Sequence, residues 1–428
     1  MKTLIKNVRL LDEEQLLDVY INQHIIQSIG INLEIDQCHV IDGKGNYLFP
    51  GFIDLHVHLR EPGGEAKETI KTGTLAAARG GFTTICSMPN TNPTPDSPEV
   101  LKNILEKIEK DAVVRVFPYS AITKDLKGEE LVNFNSLYEL GAIAFTDDGV
   151  GVQSANVMYE AMLKASQINA TIVAHCEDNT LIRQGVMHEG NINSKLNLFG
   201  IPSICESVHV ARDVLLAEAA QCRYHVCHVS TKESVRILRD AKRAGIRVTA
   251  EVSPHHLLLT ENDILSDDAN YKMNPPLRSN EDRQALIEGL IDGTIDCIAT
   301  DHAPHTTFEK SQGFKYAPFG IVGLETAFPL LYTHFVKTGI FSLKQLVQWL
   351  TINPAKIFNL PYGSIEVGKR ADLVIVDLDA SEIIDANDFL SKGKNSPFIG
   401  WKVYGLPTIT MVDGKVVYQR ENQLITND

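Results

Sequence analysis

The residues best equipped for chemistry are histidines and aspartates that close short apolar runs. His56 and His58, in Asp54-Leu-His56-Val-His58-Leu-Arg60, end the run from Leu48 to Val57. Side chains two positions apart on a strand share a face, so both imidazoles point one way and can share a divalent metal. Arg60 continues that face with a guanidinium suited to a carboxylate. Alone, the segment favours a metal site, with a surface strand that carries two histidines as the alternative. The pattern, however, recurs. Asn90 follows the run Phe82–Met88, Asp147 and Asp148 follow Ala142–Thr146, His175 lies at the end of Thr171–Cys176, His228 at the end of Tyr224–Val229, and Asp301 follows Asp296–Thr300. A single histidine after an apolar strand is more often a satisfied rim residue than a ligand; histidines or carboxylates at five of eight strand ends indicate a shared metal site.

The four imidazoles and two carboxylates at these ends, counting one of the adjacent pair Asp147 and Asp148, exceed what one tetrahedral zinc with an open position takes, and suit a two-metal centre. Imidazole-rich ligation favours zinc, with manganese or cobalt as substitutes. Such a centre makes hydroxide available near neutral pH, and an adjacent carboxylate can pass a proton to a leaving nitrogen. The chemistry implied is attack on a carbonyl or a cyclic amide.

The elements that must position these groups are legible as alternating strands and helices. The strands are Phe52–His58, Phe82–Met88, Val113–Tyr119, Ala142–Thr146, Thr171–Cys176, Tyr224–Val229, Arg247–Val252 and Asp296–Thr300. Helix-like segments lie between them: Ala66–Arg79, Pro98–Lys110, Ala155–Ser166, Ser207–Gln221, Lys232–Ala244 and Glu281–Ile291. This order predicts an α/β fold closed into a TIM-type (β/α)8 barrel, whose C-terminal strand ends meet at one face. A doubly wound open sheet is the runner-up, but no glycine-rich phosphate loop follows the first strand. Residues 1–48 and those after Phe358 read as β pieces, with hairpin signals at Asp42-Gly43 and Asp413-Gly414. They are expected to combine into one small domain beside the barrel. A long loop is expected from His305 to Gly320.

Composition narrows the classes. A length of 428 residues suits a barrel plus a satellite domain, and 44% hydrophobic with 22% charged residues is globular. A net charge of −14 without a basic block argues against nucleic acid or an anionic membrane as partner. The seven cysteines form no CxxC pair and mostly lie in apolar runs, so reduced core thiols in a cytoplasmic protein are expected. The N-terminus does not read as a signal peptide, and no apolar stretch is long enough for a membrane helix.

Two longer motifs identify a resemblance. Gly51-Phe-Ile-Asp54-Leu-His56-Val-His58-Leu-Arg60-Glu-Pro62-Gly63 and Ala299-Thr-Asp301-His-Ala303-Pro304-His305, with Lys310 beyond, resemble the two signatures of the dihydroorotase family. Gly368-Lys-Arg-Ala-Asp372-Leu-Val-Ile resembles a tail typical of the amidohydrolase superfamily, so the likeness, to the long bacterial type, spans nearly the whole chain. It implies a barrel over 50–357, a β-sandwich from 1–49 and 358–428, and two Zn2+ per subunit. The implied activity is the reversible interconversion of N-carbamoyl-L-aspartate and (S)-dihydroorotate in pyrimidine (UMP) biosynthesis. By position, the resemblance puts His56, His58 and Asp301 on one zinc, His175 and His228 on the other, and Asp148 between them, with Asp147 as its rival. Asp301 would also be the general acid/base. Arg60, Asn90 and His305 would clamp the substrate carboxylate, and Asn274, Phe319 and Gly320 match further substrate contacts, with His58 also touching substrate. His255 and His256 are assigned no metal; Cys176 and Cys227 are expected on the far strand face, and Lys310 and Lys315 as solvated loop charges, narrowly ahead of a role in helping a lid approach the acidic substrate. A homodimer is implied, with aspartate transcarbamoylase as a potential partner. Dihydropyrimidinase/hydantoinase and allantoinase are the nearest alternatives, and a non-catalytic scaffold relative the third.

Overall fold

A computed structural model describes residues 2–420; Met1 and 421–428, the ends of the expected sandwich segments, lie outside the described residues. The chain begins with β1 (Lys2–Val8), β2 (Leu17–Asn22), β3 (Ile25–Gly30) and β4 (His39–Asp42), which form a sheet in the order β3-β2-β1-β4. The next strand, β5 (Tyr47–Pro50), leaves that sheet, and β6 (Phe52–Val57) opens the barrel.

The barrel continues through β7 (Phe82–Ser87), β8 (Arg115–Pro118) and β9 (Thr171–Ala174). The short pair β10 (Met187–His188) and β11 (Gly200–Ile201) then intervenes before β12 (Arg223–Val226), β13 (Val248–Val252) and β14 (Cys297–Ile298). All residues of β6 and β7 are buried, as expected of parallel strands covered by helices outside and side chains inside. Parallel ladders run β6-β7-β8 and β9-β12-β13-β14. Single bridges join these arcs: Ser120 with Phe145, Phe145 with Ile172, and Val57 with His302, the last supported by the His58 N–H donating to His302 O at 2.9 Å. The molecule is thus a TIM-type (β/α)8 barrel. The expected fourth strand, Ala142–Thr146, is reduced to the bridges at Phe145, because the chain turns immediately into the site through Asp147 and Asp148.

The helices fall close to their expected places, for instance Ala155–Gln167 and Lys232–Arg243. In the latter, Val235, Leu238 and Ala241 are buried at helical spacing, and the Thr231 hydroxyl caps the start by accepting from Ser234 N.

After the barrel come β15 (Leu373–Ile383), β16 (Lys402–Val412) and β17 (Lys415–Gln419), which form a second sheet with β5 in the order β17-β16-β15-β5. The two terminal sheets enclose their own core, including Ile5, Val19, Ile21, Leu48, Leu373 and Ile375. Asp413-Gly414 is the expected hairpin turn, with both residues at positive φ (49° and 74°). Asp42-Gly43 is not a hairpin: β4 pairs in parallel with β1, whereas β5 pairs with β15, so this turn hands the chain from one sheet to the other. Asp372 welds the sandwich to the barrel. Its carboxylate accepts from Arg115 at 2.9 Å and from Asp413 N at 2.8 Å, and its carbonyl accepts from Gly51 N.

Candidate metal centre

The marked histidines and aspartates converge at the C-terminal end of the barrel. The rings of His56 and His58 lie side by side, centroids 5.3 Å apart. Asp301 Oδ1 is 3.0 Å from His58 Nε2 and 3.3 Å from His56 Nε2. On the other side, His175 Nδ1 faces His228 Nε2 at 2.9 Å. Asp148 stands between the pairs: Oδ1 is 3.5 Å from His56 Nε2 and 3.9 Å from both His175 Nδ1 and His228 Nε2, while Oδ2 is 3.6 Å from His58 Nε2. Asp147 turns away. Its carboxylate accepts the backbone N–H groups of Ile122 and Thr123 and the Thr123 hydroxyl, while burial pushes it up to about 6 against those hydrogen bonds.

The donor set fits divalent ions. His56 Nε2, Asp148 Oδ1 and His228 Nδ1 are buried with no hydrogen-bond partner. Orphaned buried polar atoms are rare, and three in one cluster of nitrogen and oxygen donors call for a cation. Electrostatics agree. Burial opposes protonation of His56, yet Asp301 and Asp148 outweigh it and hold the imidazole well above its ordinary pKa. Burial would raise Asp148 and Asp301, but His56 and its neighbours hold both below the usual carboxylate range. The carboxylates draw positive charge into a place that water does not screen. The backbone is unusual here too: Arg60 (φ 60°), His228 (φ 31°) and Asp301 (φ 48°) occupy the left-handed region.

Three acids that support the cluster were not singled out from sequence. Glu251 Oε1 accepts from His56 Nδ1 at 2.7 Å, and its carboxylate is held down to about 2, burial being outweighed by His225 and His56. Asp54 accepts from the Thr300 hydroxyl at 2.5 Å and from His56 N at 3.0 Å; burial nevertheless pushes it up to about 7. Glu177 Oε2 lies 3.5 Å from His175 Nε2. The available signal was an acid inside an otherwise apolar strand at Asp54 and Glu251, and an acid two residues past His175.

A cavity of about 270 Å³ opens onto the cluster, lined by Arg60, Asn90, Asn274, Phe319 and others. Asn90 Oδ1 meets His58 Nδ1 at 2.8 Å, and its Nδ2 donates to Asp148 Oδ2 at 3.2 Å. Arg60 donates to Pro304 O at 3.3 Å and approaches His305 Nε2 at 3.3 Å; no carboxylate among the described residues pairs with it. His305 Nε2 also meets Phe319 O at 2.8 Å, and burial pushes its imidazole down to about 2. Asn274 Nδ2 donates to Glu177 at 3.1 Å. Gly320 packs behind His305: at φ 155°, an added Cβ would lie 2.5 Å from Ala303 O and 2.7 Å from the His305 ring.

Other expectations need correction. The segment from His305 to Gly320 is not an irregular loop but carries helices Thr307–Lys310 and Gly313–Tyr316. Lys310 is not a solvated charge: its buried ammonium donates to Gly320 O at 2.9 Å, Pro318 O at 3.1 Å and Lys272 O at 3.3 Å. These bonds tie the end of the helix Thr307–Lys310 to Pro318, Gly320 and Lys272. Cys227 is buried but not remote; its sulfur lies within 4.8 Å of ligand atoms on His56 and Asp148. The left-handed turn at His228 breaks the strand alternation that was expected to carry Cys227 to the far face. His255 and His256 join no metal-capable group among the described residues, and burial pushes His255 down to about 4.

A family model described as "Dihydro-orotase-like" matches residues 45–234, and one described as "Amidohydrolase family" matches residues 218–418. A dihydroorotase from Halalkalibacterium halodurans is 62% identical over 98% of this chain and 99% of its own. One from Staphylococcus aureus is 62% identical over 97% of this chain and 99% of its own. Among solved structures, L-hydantoinase (dihydropyrimidinase) from Arthrobacter aurescens superposes with a TM-score of 0.87 at 28% identity, covering 97% of this chain and 96% of that one. D-hydantoinase from Thermus sp. gives 0.86 at 29% identity, covering 97% and 94%.

Proposed function

This chain belongs to the dihydroorotase family, and we propose that it catalyses the reversible cyclisation of N-carbamoyl-L-aspartate to (S)-dihydroorotate and water, a step of pyrimidine biosynthesis. It is a cyclic amide hydrolase of amidohydrolase architecture. The observation that carries the substrate assignment is the Arg60 guanidinium, free of any acidic partner among the described residues, lining the same cavity as Asp148 and Asp301.

His56, His58 and Asp301 would hold one zinc ion, His175 and His228 a second, with Asp148 reaching both. Bound there, the ions would supply a nucleophile at neutral pH and polarise the carbonyl under attack. Arg60 grips the substrate carboxylate, and burial of its guanidinium strengthens that charge-assisted contact. Asn90 and His305 complete the clamp, while Asn274, Phe319 and Gly320 shape the rest of the cavity. In the hydrolytic direction the Asp301 carboxylate takes the proton lost by the attacking water and delivers it to the ring nitrogen as the C–N bond breaks; cyclisation reverses this transfer. The catalytic unit is taken as residues 50–357, with 1–49 and 358–428 as its companion domain.

An ultraviolet assay of the purified protein with dihydroorotate, hydantoin and allantoin tests this reading. Turnover of dihydroorotate far above the other two is expected; equal or greater turnover of hydantoin would overturn it, since uncharged rings offer Arg60 nothing to bind.

A further inference from the structure

Glu251 lies at the end of β13, fully buried, and no step of the reaction calls on it. Both of its oxygens are nevertheless used. Oε1 is 2.7 Å from His56 Nδ1 and also accepts from His228 N at 3.4 Å. Oε2 is 3.1 Å from His225 Nε2, and His225 Nδ1 is in turn 2.8 Å from the Thr249 hydroxyl. One carboxylate therefore touches the first strand of the barrel through His56 and the sixth through His225 and His228.

An ionised carboxylate can only accept, so in the neutral imidazole that a metal ion requires the short contact assigns the one proton to His56 Nδ1 and leaves Nε2 as the lone-pair nitrogen. That same Nε2 is the orphaned atom facing Asp148 and Asp301. His58 has a comparable acceptor in Asn90, but a neutral amide on the cavity wall, and His175 has Glu177 only at 3.5 Å. The His56 acceptor is the shortest of the three and the most deeply buried.

We propose that Glu251 is the positioning residue of the metal centre: by accepting from His56 Nδ1 it fixes the tautomer and the ring plane that present Nε2 to a divalent ion, and by holding His228 N it sets the spacing between the two histidine pairs. The inference rests on the metal-centre reading above. Partners behind a ligating histidine are worth roughly 10- to 100-fold in metal affinity. With its proton on Nε2, His56 could not offer that nitrogen to the ion until it changed tautomer.

The test is zinc affinity measured by competition with a chromogenic chelator, on metal-stripped wild type, Glu251→Gln, Glu251→Leu and Glu325→Gln. Glu325 is a buried carboxylate paired with Arg79 away from the centre, so its variant reports what loss of any buried acid does to the fold. Glu251→Leu is expected to lose affinity by roughly 10- to 100-fold. Glu251→Gln, whose carbonyl can still accept from Nδ1, should recover most of it, and Glu325→Gln should bind zinc as wild type even if it unfolds earlier. Wild-type affinity in folded Glu251→Leu, or equal loss in the Gln and Leu variants, would overturn the proposal. Should Glu251→Leu fail to fold, 15N shifts of histidine-labelled, zinc-loaded wild type decide: a proton on His56 Nδ1 supports the assignment, and one on Nε2 overturns it. Failure of wild type to bind zinc at all would instead sink the metal-centre reading itself.

Discussion

The two walls of the cavity are built differently. The inner wall is made of side chains at strand ends: His56, His58, His175, His228 and Asp301, with Asp148 between them, braced from beneath by Glu251 and Asp54. The outer wall, within Ala303 to Gly320, is held through its backbone, by Lys310 on the carbonyls of Pro318, Gly320 and Lys272 and by Asn395, whose Nδ2 donates to Ala303 O and Gly320 O at 2.9 Å each. A strand end aims a side chain with little freedom, which suits groups that must share an ion. A segment tied by its carbonyls stands on a support separate from those strand ends. Changes to the inner wall should therefore act on chemistry and metal content, and changes to the outer wall on substrate binding.

Asp301→Asn should produce the largest effect, a loss of about 10²- to 10⁴-fold in kcat with unchanged circular dichroism, because the amide no longer takes or gives the proton. Near wild-type turnover would break the assignment of proton transfer to the inner wall. The adjacent aspartates sharpen the contrast next. Asp148→Asn should lower the zinc bound per chain, whereas Asp147→Asn, whose Oδ1 can still cap Ile122 and Thr123, should keep full metal content; elemental analysis of both separates them. Arg60→Ala should raise KM roughly 10- to 100-fold, the equivalent of losing about 1.5–3 kcal/mol of charge-assisted hydrogen bonding, with zinc retained. Loss of zinc there would place Arg60 with the inner wall instead. Lys310→Met should have the smallest effect on catalysis. Freed carbonyls would cost roughly 1–3 kcal/mol of stability, read by denaturant unfolding, with a modest rise in KM and unaltered metal content.

The inner wall was largely legible because it obeys a simple rule: parallel strands all end on one face, so polar residues closing apolar runs must meet. Asp148 and Asp147 stayed rivals in the sequence: the match of Phe145-Thr-Asp-Asp-Gly149 to the family favoured Asp148, but alternation could separate them only on a continuing strand, and the strand has ended before Asp147. The same rule misled at Cys227, because the left-handed residue at His228 breaks the alternation just where the strand ends. The braces escaped notice for a different reason. Glu251 and Asp54 meet His56 and Thr300 across 195 and 246 residues of chain, and no local pattern announces such pairs. Lys310 is the clearest case: a lysine among Gly, Lys and Thr reads as solvated, and only the folded segment supplies the three carbonyls that bury it. The turn at Asp42-Gly43 carried a hairpin signal, but pairing of β5 with β15 depends on strands more than 300 residues later.

The central claim is that Asp148 stands between two separate ion positions. Zinc content of the protein, saturated with zinc and freed of excess by gel filtration, tests it most directly when measured by elemental analysis against chain concentration. The account predicts two equivalents per chain, falling in Asp148→Asn; saturation at one equivalent or fewer in the wild type would contradict it.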